Sequence, residues 1–358
     1  MEYDKVKEKV IDTHLHIEGW NNDEGNFVDC FEQYKEDMGL YALNLCVVPT
    51  IQRSVCNNIQ CALYKMAHEN TYAHGGLDHI KWPITEDMPE GMDLVTQYRE
   101  LMEIGFDGIK MLEAKPSHHK RNGLDLNTPP LDRVFAEIEK DGTHLILHSN
   151  DPEEFWYESK KAEIKPGWWY GDGTYATHEQ VYEQTEKMLA NHPNINVTLA
   201  HFYFCGKKPE KLEKLFAKYP NLCVDITQGG EMYHAFEANH EFFVDFFIKH
   251  SSRILLGTDS TYPWGTNVYD WILDRTYRFI ATDDKMSGFG DKELTGIKLP
   301  AKAREDILWR NFERRVGEKP REINKDALRR YIDKYKPLMS EDEWKNLEPV
   351  IKKYLREW

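Results

Sequence analysis

Eight short apolar runs recur along the chain, at residues 9–15, 42–49, 72–77, 108–112, 144–148, 196–201, 222–226 and 253–258. Each is followed by a stretch long enough for a helix. Met92, Val95, Tyr98, Leu101 and Met102 fall at helical spacing, and residues 131–140, 178–191, 209–218 and 241–250 repeat that pattern. Gly39, Gly105 and Gly142 stand where helix C-caps belong, and Pro209 where a helix starts. Eight strands alternating with helices predict a parallel sheet closed into a single (β/α)8 barrel over residues 1–317. An open doubly wound sheet has the same alternation, but no Gly-rich phosphate loop follows the first run. Residues 318–358 read as a helical tail. Ser340 and Glu343 form a capping box there, and Trp344, Leu347, Val350, Ile351 and Leu355 make an apolar face that covers the barrel bottom or joins subunits of a homo-oligomer.

Two loops after the strands are long. Residues 113–130 follow the fourth run. Residues 151–177 follow the fifth and contain Trp168-Trp169-Tyr170-Gly171-Asp172-Gly173, either an aromatic lid or a packed anchor.

Composition narrows the function. A net charge of −15 without a basic patch argues against nucleic acid as a partner. No run approaches 18 apolar residues, so no membrane span is expected, and the charged N-terminus lacks the apolar stretch of a signal peptide. Six cysteines without a C-x-x-C pair suit a reducing cytoplasm.

The ends of the runs carry the chemistry. In Val10-Ile11-Asp12-Thr13-His14-Leu15-His16 the two histidines point to one face of a strand, their α-carbons about 6.6 Å apart. Alone, an H-x-H is more often a pair of structural histidines. Here, however, the fifth run ends in His148, the sixth in His201 and the eighth in Asp259. Barrel strands end at a common mouth, so these residues converge on what reads as a metal site.

This pattern resembles the amidohydrolase superfamily, and within it the branch that contains aminocarboxymuconate semialdehyde decarboxylase and several lactone hydrolases. Ile254-Leu255-Leu256-Gly257-Thr258-Asp259-Ser260 is similar to that branch's strand-eight signature. So is the ending from Leu299-Pro300 through Ile307-Leu308-Trp309-Arg310-Asn311-Phe312-Glu313-Arg314. The resemblance spans residues 10–317. It implies His14, His16, His148 and Asp259 as ligands of one divalent ion, zinc or alternatively manganese, with Asp259 and His201 as the catalytic pair. Such an ion lowers the pKa of water bound to it toward about 7. Lys110, on the fourth run, is a clamp for a substrate carboxylate, a metal-bridging lysine as in binuclear members, or a structural residue. Glu113 and Lys115 add to the same wall, and Arg53 is a further carboxylate contact. Asp225 either lines the pocket or bonds the backbone. His74 and His79 read as structural, and Tyr203, Glu231 and Tyr233 as mouth residues.

The expected activity is hydrolysis of a C–O or C–N bond in a small ester, lactone or amide. Its alternative is non-oxidative decarboxylation of an aromatic or unsaturated carboxylic acid. A non-catalytic metal-binding barrel is the reading from another class.

Overall fold

A computed structural model describes the chain except residues 1–2, 18–25, 48–53, 80–83, 85–87, 89, 262–265 and 356–358. Arg53 therefore lies outside the described residues. The order is β1 (Ile11–Ile17), α1 (Asn26–Met38), β2 (Ala42–Val47), α2 (Ser54–Ala67), β3 (Thr71–Gly76), α3 (Leu94–Ile104), β4 (Gly108–Ala114), α4 (Pro116–Asn122), α5 (Pro129–Asp141), β5 (His144–Ser149) and α6 (His178–Asn191). There follow β6 (Val197–Leu199), α7 (Pro209–Lys218), β7 (Leu222–Asp225), α8 (Gly230–Ala238), α9 (His240–Lys249), β8 (Ile254–Leu255), β9 (Ser260–Thr261) and α10 (Thr266–Ala281). A hairpin of β10 (Lys285–Ser287) and β11 (Glu293–Thr295) precedes α11 (Ala301–Glu305), α12 (Asn311–Val316), α13 (Lys325–Tyr335) and α14 (Glu341–Tyr354).

Strands β1 to β9 form one parallel sheet in the order β8-β7-β6-β5-β4-β3-β2-β1-β9. The strands β8 and β9 are two pieces of the eighth run. One pairs with β7 and the other with β1, which makes the chain a (β/α)8 barrel. The run breaks between them because Thr258 turns inward to Asp12, giving its backbone N–H to Oδ1 at 3.1 Å and its hydroxyl to Oδ2 at 2.7 Å. Glycine is required inside this break: a Cβ on Gly257 would lie 2.6 Å from Thr227 Cγ2 and 2.8 Å from the His14 Cβ.

The sixth strand is shorter than its apolar run. The backbone N–H of Ala200 still bonds the carbonyl of Leu147, but that of His201 turns to the Asp225 carboxylate at 2.7 Å. His201 thus stands beyond the strand rather than on it. It opens a turn in which His201, Phe202, Tyr203 and Phe204 all have positive φ, between 50° and 58°. Left-handed backbone costs an L-residue roughly 1–2 kcal/mol. Burial offsets it here: Phe202 packs fully buried among Phe236, Phe243 and Phe247. The Tyr182 hydroxyl donates to the carbonyls of Tyr203 and Phe204.

Two devices hold the lower half. Phe312 of α12 plugs the barrel against Tyr72, His74 and His144. Above it a polar chain crosses the interior: Asn44 to His74 at 2.8 Å, His74 to His144 at 2.9 Å, and His144 to Thr198 at 2.8 Å. His74 is thus a satisfied structural histidine. The tail helices α13 and α14 pack on α2 and α3, burying Leu347, Ile351 and Leu355. The Ser340–Glu343 capping box starts α14 as its residues predict.

Candidate metal centre

The candidates lie along or just past the barrel strands. His14 and His16 leave β1, Lys110 lies on β4, His148 on β5, His201 follows β6, Asp225 ends β7 and Asp259 fills the break after β8. Two of these side chains rest on left-handed backbone, His201 and Asp259, the latter at φ 56°. Strain of this kind gathers where a site fixes its side chains.

Hydrogen bonds assign the protons. The Asp225 carboxylate lies 2.9 Å from His14 Nδ1. Burial works to raise the Asp225 pKa, but the adjacent His14 and His201 and the hydrogen bond from Thr227 hold it far below the usual carboxylate range. It therefore accepts, and His14 carries its proton on Nδ1 with a lone pair on Nε2. His16 Nδ1 donates to the carbonyl of Cys46 at 3.1 Å, which again leaves Nε2 as a lone pair. A backbone carbonyl also fixes His148: Nε2 lies 2.9 Å from the Asn150 oxygen, so the lone pair is on Nδ1. For His201 the path is one step longer. Thr227 gives its single hydroxyl proton to Asp225 at 2.5 Å, and so accepts one from His201 Nδ1 at 2.9 Å. That leaves a lone pair on His201 Nε2.

These lone pairs face one another. His16 Nε2 stands 2.9 Å from Asp259 Oδ1, and His201 Nε2 stands 3.0 Å from His148 Nδ1. His14 Nε2 is 3.6 Å from Asp259 Oδ1. Acceptors at such distances repel unless a cation lies among them. One partial answer is Lys110, whose ammonium lies 2.9 Å from His14 Nε2. The donor set of imidazole nitrogens and one carboxylate suits a divalent transition ion, and each donor's other atom is already committed. Burial drives the His14 pKa down to about 3 and those of His148 and His201 downward too, which keeps the nitrogens unprotonated. Burial tends to raise the Asp259 pKa, but protonation of the histidines around it, His201 first, would hold it well below the carboxylate range.

Of the four expected ligands, three converge. The ligand atoms of His14, His16 and Asp259 lie within 4.8 Å of one another. His148 is set back from this cluster, across His201. Lys110 contacts His14 rather than open space. Glu113 is buried and paired with His79 at 2.8 Å, and Lys115 is held by both oxygens of Asp151 at 2.6 and 2.8 Å. Tyr203 and Tyr233 are fully buried. The organising role of Asp225 was left open by the sequence and that of Thr227 was not visible there. The signal for Asp225 was an apolar run ending in an acid, as the eighth run does.

A barrel with metal-competent side chains on the ends of its strands defines a class of enzyme, and the comparisons agree with it. The chain belongs to the amidohydrolase family, whose model matches residues 52–315. Members of this family bind a divalent metal ion. The match begins after β1, so the H-x-H pair lies outside it. No curated protein matches the chain. Among solved structures, a putative amidohydrolase from Staphylococcus aureus is similar with TM-score 0.55 and 15% identity, covering 87% of this chain and 100% of that one. A dihydroxybenzoic acid decarboxylase from Polaromonas sp. JS666, with bound manganese and the inhibitor 2-nitroresorcinol, gives TM-score 0.53 and 13% identity over 86% of this chain and 96% of that one. A 2,6-dihydroxybenzoate decarboxylase complexed with 2,6-dihydroxybenzoate gives 0.52 and 14% over 86% and 98%. At these identities the likeness is one of fold.

Proposed function

We propose that the chain is a divalent-metal-dependent hydrolase of a small ester, lactone or amide, with Asp259 and His201 as its catalytic pair. One observation carries this: Asp259 gathers with His14 and His16, and His201 stands beside that cluster, its ring centre 5.8 Å from that of His14. His14, His16 and Asp259 would hold the ion, zinc or manganese, with His148 turning its Nδ1 toward it. When bound, the ion supplies Lewis acidity that makes water a nucleophile at neutral pH.

The side chains do the rest. Asp259 takes a proton from the attacking water and returns it to the departing oxygen or nitrogen. His201 at rest offers a lone pair. Its Nε2 accepts a hydrogen bond from the attacking water and orients it, while Thr227 and Asp225 hold its other nitrogen. The two lysines that β4 and its end send toward the mouth are engaged, Lys110 with His14 and Lys115 with Asp151. Lys115 is therefore not ready to clamp a substrate carboxylate, whereas Lys110 would leave His14 Nε2 when that nitrogen takes the ion.

Decarboxylation is the second reading, favoured by the two hydroxybenzoate decarboxylases that share the fold. Reaction in ¹⁸O-labelled water separates the two. The metal-loaded protein is offered lactones, esters, amides and hydroxybenzoates. Label entering the product carboxyl without release of CO₂ supports hydrolysis, whereas CO₂ release from a hydroxybenzoate without label would overturn it.

A further inference from the structure

We propose that the aromatic insertion at residues 151–177 is a buttress for His148, acting through Asp151 and Tyr170. The inference rests on the metal site proposed above and assigns positioning residues to it. Asp151 is 2% exposed, and every side of its carboxylate is used. Lys115 meets both oxygens, the Tyr170 hydroxyl donates to Oδ2 at 2.7 Å, and Oδ1 lies 3.2 Å from His148 Nε2. With the Asn150 carbonyl, Asp151 fixes the His148 proton on Nε2 and turns Nδ1 toward His201. A carboxylate behind a ligand imidazole sets its tautomer and orientation and raises its basicity.

The insertion is built to hold that carboxylate still. Tyr170 is 1% exposed, its backbone N–H bonds the Phe155 carbonyl at 2.8 Å, and its ring packs between Trp156 and Tyr175. Trp168 lies against the Lys115 ammonium, 4.6 Å from nitrogen to ring centre. The far end is pinned where the Trp156 indole donates to the Ala176 carbonyl and the Asn150 amide to the His178 carbonyl. A substrate lid keeps its aromatic side chains free to swing, whereas Tyr170 spends its hydroxyl inside the protein. Lys115 belongs to the same unit: its charge neutralises Asp151.

The test is the affinity of the full-length protein for Co²⁺ and Zn²⁺, measured by competition with a chromophoric chelator. Asp151→Asn keeps the shape and removes the charge, and Tyr170→Phe removes a single oxygen while keeping the packed ring. Asp151→Asn is expected to weaken binding about 10- to 100-fold and to alter the visible spectrum of the cobalt-loaded protein. Tyr170→Phe is expected to move both in the same direction by less, and Tyr157→Phe, on an exposed tyrosine of the insertion, to move neither. If the wild type takes up no ion, the metal site falls and the buttress with it. If the wild type binds and both Asp151→Asn and Tyr170→Phe bind equally tightly with an unchanged spectrum, the buttress alone is overturned.

Discussion

Replacing Asp225 by asparagine tests the proton assignment at its root. The two oxygens of Asp225 do different work. Oδ1 accepts from the backbone N–H of His201 and Thr227 and from the Thr227 hydroxyl, while Oδ2 accepts from His14 Nδ1. Asparagine can keep its carbonyl at the first position, where three donors need it. Its amide NH₂ then falls opposite His14 Nδ1, donor against donor. His14 relieves this by moving its proton to Nε2, the very atom that faces Asp259 and Lys110. To bind an ion, His14 must give up the new bond and restore the clash. A hydrogen bond to a charged group contributes about 1.5–3 kcal/mol, so metal affinity is expected to fall by about 10- to 150-fold. Chelator competition measures this, with circular dichroism to confirm that the variant is folded. The isosteric change matters, because Asp225→Ala would also orphan two buried N–H groups and blur the result. Wild-type affinity in Asp225→Asn would refute the claim that His14 Nε2 is held as a ligand lone pair.

Further perturbations separate stability from chemistry. His144→Leu breaks the interior chain and leaves His74 Nε2 and the Thr198 hydroxyl unpaired. It is expected to cost about 2–5 kcal/mol in denaturant titration at unchanged metal affinity, and a loss under about 1 kcal/mol would contradict the structural role. Burial, with the charges of Glu154 and Asp151 adding to it, pushes the Glu231 carboxyl up from 4.5 to about 7. A raised folded pKa means that stability is present below about pH 4.5 and is lost as the pH rises through about 7. Because Glu231 is only partly buried, the loss is on the order of 1–3 kcal/mol. Melting curves should therefore show Glu231→Gln gaining on the wild type at pH 8 but not at pH 5, and parallel curves at both would count against it.

Much of this was legible in the sequence, and the gaps have physical causes. Apolar runs mark barrel strands because both faces of each strand are covered, and their ends mark the mouth. That logic located His14, His16, His148, His201 and Asp259 at one end of one barrel. Helices with strong periodicity were read closely: residues 178–191 and 209–218 coincide with α6 and α7. The left-handed turn from His201 to Phe204 was not legible. Nothing in His-Phe-Tyr-Phe favours positive φ, and the aromatic packing and Tyr182 bonds that sustain it are tertiary. The engagement of Lys110, Lys115 and Glu113 was hidden for a similar reason. Each side chain was placed near the mouth, but its partner sits on another strand or loop: His14 on β1, Asp151 after β5, His79 after β3. Sequence shows which groups are charged, not which have been neutralised.

Lone pairs of His14, His16 and Asp259 converge because a divalent ion belongs among them. Elemental analysis of metal per chain, on the wild type and on His16→Ala after reconstitution with zinc or manganese, tests it most directly. About one ion per chain is expected in the wild type and a large loss in the variant. A wild type that retains no ion after reconstitution would contradict it.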